Sequence, residues 1–277
     1  MNSKGQIMIT DLLLYLVIIT IMLGMVVYLT ATLNNNEVTN VNNHELNNML
    51  SDATRVLTTT SGSPDNWEDL NNMANTKTVG LKSRHNSLIS YDKLIKLKSN
   101  PHLLDTFFPE GLSYSLTLYP KNRTSSSQLI AGKSSLSNYN HIQSKDMPIL
   151  IDYGYNVTLV NSSNKCPFNH NKYWKCIAFT VNSSLLDDGE FYIVTDDNCR
   201  YIISNTYLDN ITGQTNRIIS INNKLDDLKV NDNQTYYLHL NTNNNASYLV
   251  YDANDREEFL DNVLRPEVYI LNMKVAA

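Results

Sequence analysis

The sequence predicts an α+β protein, with a long N-terminal transmembrane or spine α-helix followed by an antiparallel β-rich extracellular head with short helices. Three observations predict it. An uncharged apolar run opens the chain, and an apolar stripe at helical spacing continues it. After Pro101, short segments rich in Tyr, Ile, Val and Thr recur between turn residues.

The opening run comes first. Leu12 to Leu29 carries no charge and, at ~1.5 Å per residue, covers about 27 Å against a hydrocarbon core of ~30 Å. A secretory apolar region is shorter, about 7–15 residues, and ends at a small-residue site that "LTATL" lacks. A retained span over residues 6–33 follows. Lys4 and the α-amino group precede it, whereas Glu37, Glu45 and Asp52 come before the first later cation, Arg55. The excess of positive charge on the cytoplasmic side of a span then places residues 1–5 in the cytoplasm. Everything after about residue 33 lies outside, in a single-pass protein of the cell membrane whose partner is the lipid bilayer.

Residues 34–60 read as a soluble continuation of the helix. Val38, Val41, Met49, Ala53 and Val56 fall at helical spacings, and Leu46, Leu50 and Leu57 widen the stripe. Gly62 and Pro64 in "TTTSGSPDNWEDL" stop it, and Trp67 reads as a core anchor under the turn. Residues 61–277 form one head. In it, "SYDKLIKLK" (Ser90–Lys98) is a capped helix with Leu94, Ile95 and Leu97 inward and its lysines solvated. "GLSYSLTLYP", "KYWKCIAFTVN", "QTYYLHLN", "ASYLVYD" and similar stretches are strands. The Ser-rich segment 120–146 is a surface loop or a subdomain boundary, "DREEFLDNVL" a late helix and "EVYILNMKV" a last strand.

The first residues carry a family resemblance. "KGQIMITDLLLYLVIITIMLGMVVYL" resembles the class III signal peptide of archaeal type IV pilins and pilin-like proteins. The resemblance implies that a prepilin-type signal peptidase removes residues 1–5 by cutting between Gly5 and Gln6, retaining the helix. The family places Glu five residues into the mature helix. Here that position is Thr10, and the acid Asp11 follows one place later. Two readings of Asp11 stand. It pairs with a neighbouring subunit's new amine, or it sits where a carboxylate at the membrane boundary costs little. A second stretch, from "SDATRVLTTTSGSPDNWEDLNN" to "TVGLKSRHNSLISYDKLIKLK", is similar to a pattern in large pilin-like proteins of archaea.

The remaining chemistry is sparse. Net charge is −5 with 18% charged residues and no basic patch, which excludes nucleic acid as a partner. Cys166 and Cys176 bracket "CPFNHNKYWKC", a loop their disulfide would close; Cys176–Cys199 is the competing pairing. A Cys/His metal site including His170 can be drawn, but no C-x2-C unit supports it and no metal is expected. Glycosylation sequons start at Asn122, Asn156, Asn161, Asn182, Asn210, Asn233 and Asn245. With Asn at about one residue in seven, chance produces as many, so their number carries no weight. The acids of "LLDDGEF" and "VTDDNC" read as hairpin turns. No nucleophile–base spacing and no phosphate-binding glycine loop occurs, so neither catalysis nor a cofactor is expected. The resulting expectation is a minor pilin or pseudopilin that assembles with other pilin-like subunits through its N-terminal helix. The alternative is a singly anchored adhesin or receptor whose head meets an extracellular ligand.

Overall fold

The computed structural model describes residues 3–123, 126–161, 166, 173–242 and 246–277, and for 3–17 and 31–42 the backbone alone. Helix α1 (Ser3–Thr59) runs through the apolar opening and the Asn-rich stretch without a break. Its last turns pack into the head. Leu46, Leu50, Ala53 and Leu57, three or four residues apart, form one buried stripe. The helix stops where expected, ahead of Gly62, whose φ of +89° suits a residue without a side chain. A Cβ on Gly62 would lie 2.7 Å from the Thr78 carbonyl oxygen and 2.7 Å from the Trp67 ring.

One expectation is overturned here. Among the described residues, no helix is long and apolar enough to cross a membrane. The side chains of α1 are described from Ile18 to Thr30 and again from Asn43 onward. The apolar part of the first window, Ile18 to Leu29, covers about 18 Å at ~1.5 Å per residue, short of a ~30 Å hydrocarbon core. The remaining side chains of the expected span at 6–33 lie outside the described residues. The transmembrane helix of the expected fold class is therefore withdrawn. With it go the single-pass placement, the cytoplasmic N-terminus and the extracellular head. The β-rich head of antiparallel sheets remains.

In the head, two-residue strands β1 (Gly62–Ser63) and β2 (Thr78–Val79) pair, and β3 (Ile89–Ser90) leads into helix α2 (Tyr91–Ser99). Ser90 caps α2, its Oγ accepting from the Lys93 amide. The inward face differs from the expected one. Lys93, Leu94 and Leu97 are buried, while Ile95 is 42% exposed. At ~100° per residue, 93, 94 and 97 share a face that 95 leaves.

Strands β4 (Ser113–Pro120), β5 (Gln128–Gly132) and β6 (Ile142–Ile149), with the C-terminal strand β16 (Tyr269–Ala276), form a sheet of order β5-β4-β16-β6. Helices α1 and α2 cover one face, meeting Leu116, Leu271, Met273 and Val275. The Ser-rich segment thus contains an ordered strand, β5, paired to β4 across a bulge.

After β7 (Ile151–Asp152) the chain builds a second unit before returning through β16. Strands β8 (Asn156–Leu159), β9 (Trp174–Val181), β10 (Glu190–Thr195), β11 (Cys199–Asn205), β12 (Asn210–Thr215), β13 (Ile218–Ser220), β14 (Gln234–Asn241) and β15 (Ser247–Asp252) make two antiparallel sheets. Their orders are β13-β10-β15-β8 and β12-β11-β14-β9, and Ile193, Tyr201, Ile203, Tyr236, Leu238 and Leu249 interlock between them. The expected turn in "LLDDGEF" is instead helix α3 (Ser183–Asp188), capped by the Asn182 side chain. "VTDDNC" crosses from one sheet to the other. Helix α4 (Asn222–Asp227) closes the core, and α5 (Asp261–Leu264) packs near β10. Arg256 ties the two units together. Its guanidinium pairs with Asp92, donates to the Tyr153 carbonyl and lies 4.9 Å from the Tyr91 ring centre.

Candidate functional site: an uncovered helix and a thiol–imidazole cluster

Two features of the molecule ask for a partner. The first is α1 ahead of the head. Ile18, Ile21, Met22, Leu23, Met25, Val26, Val27, Tyr28 and Leu29 are 45%, 61%, 64%, 59%, 64%, 57%, 65%, 70% and 54% exposed. Apolar exposure all round a helix over three turns is rare on a soluble surface, because each such side chain forgoes about 1.5–3 kcal/mol of burial. A Cβ placed on Gly24 would meet nothing within 4 Å, so this residue leaves a flat notch on the helix. Gly5, Gln6 and Asp11 lie in α1 by backbone, but their side chains fall outside the described residues.

The second feature sits on the β12-β11-β14-β9 sheet. Alternation along β14 sends Tyr236, Leu238 and Leu240 into the sandwich core and His239 to the opposite face. The register then sets Cys176 of β9 directly across from His239. Ile202 of β11 lies across on the other side, with Ser204 diagonal to the histidine. His239 and Cys176 are 3% and 1% exposed, and Ser204 is fully buried. His239 Nε2 lies 3.3 Å from Ser204 Oγ, and its Nδ1 lies 3.6 Å from Cys166 Sγ. The two sulfurs and a ring nitrogen of His239 all fall within 4.8 Å of one another.

The cysteines therefore separate. Cys166 and Cys176 come together, and both are thiols. Cys199 points into the sandwich core, where burial pushes its thiol up despite a hydrogen bond with Thr195. It is two strands from Cys176 and on the other face, about 9–10 Å away across the sheet, beyond the ~7 Å reach of a disulfide. His170 lies outside the described residues. The histidine that joins the cysteines is His239, a residue the spacing around Cys166 could not indicate. Its one signal was its place between two leucines in an alternating strand.

The sequons scatter. Asn122, Asn156, Asn161, Asn210 and Asn233 are exposed, and Asn245 lies outside the described residues. Asn182 is half-buried, its side chain accepting from the Leu185 amide. On the face of the first sheet away from α1, Ser115, Thr117, Ser144, Asp146, Asn272 and Lys274 line an open groove of about 760 Å³. Its walls offer hydroxyl and amide groups with one carboxylate, Asp146, and one ammonium, Lys274. No family model matches the chain, and no curated protein or solved structure matches it either.

Proposed function

We propose that this chain is a pilin-like structural subunit that assembles with copies of itself through α1, the β-rich head forming the outer part of the assembly. The observation that carries the reading is the contrast along one helix. The stripe from Leu46 to Leu57 is buried by the head, whereas the apolar side chains from Ile18 to Leu29 stay exposed. About 40 Å of helix separates Ile18 from Leu46, the first buried residue among those described, at ~1.5 Å per residue, enough for neighbouring helices to lie side by side clear of the heads. Packing of such stretches removes apolar area from water at ~25 cal/mol per Å², while Gly24 admits a close helix approach. The resemblance of the first residues to pilin leaders supports the same role. It adds a processing step before Gln6 by a prepilin-type signal peptidase, which leaves a new amine near Asp11.

The test places a photo-cross-linking amino acid at Met22, in the exposed stretch, and at Glu110 on the head as a control. Covalent multimers from position 22 alone are expected. Monomer at every concentration from position 22 would overturn assembly through α1. Intact mass of the protein from its own host tests processing separately, and a chain beginning at Met1 removes the cut at Gly5–Gln6. Asp11→Asn weakens assembly if the acid meets the new amine; unchanged multimer yield assigns it no partner.

A further inference from the structure

We propose that Cys166, Cys176 and His239 form a zinc-binding site on the second sheet of the head. The inference stands apart from assembly through α1. Two thiols and an imidazole are the donor set that suits this borderline-soft ion, and carboxylates, which would favour harder cations, are absent from the cluster of described residues.

Spacing carries the argument. A tetrahedral zinc with Zn–S of ~2.3 Å and Zn–N of ~2.0–2.1 Å holds sulfur and nitrogen about 3.6 Å apart and two sulfurs about 3.8 Å apart. Cys166 Sγ and His239 Nδ1 lie 3.6 Å apart, and all three donor atoms fall within a 4.8 Å limit. The sulfurs need approach by no more than about an ångström, a side-chain rotation rather than a backbone shift.

The support around the donors is also in place. Zinc-bound histidines usually donate their other ring N–H to a fixed acceptor, which sets the tautomer and aims the ring. Here Ser204 Oγ, itself fully buried, lies 3.3 Å from Nε2, so an Nε2–H donating to it leaves the Nδ1 lone pair toward the sulfurs. Cys176 and His239 are held on paired central positions of β9 and β14, so two donors are positioned by the sheet itself. Cys166 is only partly buried, which gives the ion a way in.

Binding is an exchange of protons for metal. Each thiol loses its proton to solvent, each sulfur lone pair forms a Zn–S bond, and no electron changes hands. A Cys166–Cys176 disulfide would consume both sulfurs, so the two states exclude each other.

The reduced full-length chain, dialysed against zinc and then against buffer, should retain one zinc per molecule. Cobalt in its place should give sulfur-to-cobalt charge-transfer absorption and the intense visible bands of a tetrahedral ion. Cys166→Ser, at the partly exposed position and so least able to disturb folding, should lower affinity at least 100-fold. Ser204→Ala should lower it ~10–100-fold by freeing the histidine ring, and Cys199→Ser should leave it unchanged. Zinc well below one per reduced, folded chain would overturn the proposal. So would a cobalt spectrum without charge transfer, wild-type affinity in Cys166→Ser, or a Cys166–Cys176 disulfide in protein taken from its host.

Discussion

Lys93 offers the sharpest quantitative test of how the head is held to the end of α1. Its side chain is fully buried, yet its ammonium has three carbonyl acceptors: Ser61 at 2.6 Å, Asp65 at 2.7 Å and Lys82 at 3.1 Å. These lie on the segments just after α1 and just before α2, so one cation gathers the turn around Trp67. Glu68 supplies the counter-charge at 3.7 Å, an ion-pair distance rather than a hydrogen bond, from a side chain only 7% exposed. Lys93→Met keeps much of the side-chain length and removes the charge and all three donors. Three carbonyls then lose their donor, and the buried Glu68 carboxylate keeps only the Arg84 guanidinium, at 3.4 Å. Removing one member of a buried pair costs about 3–5 kcal/mol, because the desolvation of the other is left uncompensated. That corresponds to a fall in midpoint of roughly 6–20 °C for a protein of this size. The assay is urea and thermal unfolding read by fluorescence of Trp67, which is fully buried with its ring N–H on the Gly80 carbonyl, in a Trp174→Phe background. Lys98→Met, on the solvated side of the same helix, should change stability by less than about 0.5 kcal/mol. A Lys93→Met variant within about 1 kcal/mol of the parent would refute the reasoning, because the ammonium would then be offsetting little beyond its own burial.

Glu68 sets a pH dependence of the opposite kind to an ordinary surface acid. Burial, only partly countered by a backbone hydrogen bond and by Lys93 and Arg84, holds its carboxyl above the usual 4.5. The folded chain therefore keeps this proton to higher pH than the unfolded chain. Its contribution to stability is complete below about pH 4.5 and is lost as pH rises through the folded value; Glu68→Gln should remove that slope from the urea midpoints. Gly132→Ala should destabilise by about 1–3 kcal/mol, since φ is +84° and the new Cβ would sit 2.3 Å from the Tyr114 carbonyl oxygen; a neutral result by calorimetry would mean that the β4–β5 bulge yields easily. Arg256→Met should split a single calorimetric transition into two by cutting the link from Asp92 on α2 to the second unit, and one unchanged transition would show the units coupled by other contacts.

Much of the local architecture was legible in the residues. Gly62 and Pro64 end the helix, Ser90 caps α2, and the alternation of "QTYYLHL" marks β14. These features depend on neighbours a few places away, through backbone dihedrals and side-chain caps. Assignments resting on burial fared differently. Lys93 looked like a solvated lysine and Ile95 like a core residue, because a helical stripe one position wide of the true one fits the same letters. The strand β5 was hidden in a Ser-rich stretch, where composition spoke for a loop although β4 offers it a pairing edge. The apolar opening carried the expectation of a membrane span, which the described residues do not support.

For this protein the sequence alone determined where α1 ends and α2 begins, and that apolar and polar positions along β14 alternate with the right period. Which distant residues meet was decided only by the tertiary structure. Cys176 and His239 are 63 positions apart in the chain and become direct neighbours because β9 and β14 pair in one register. A slip of one residue would turn His239 into the core and Leu240 toward the sulfurs. Periodicity is a property of the backbone's own geometry, whereas register is set by how whole sheets bury their faces, and that sum is taken over the entire fold.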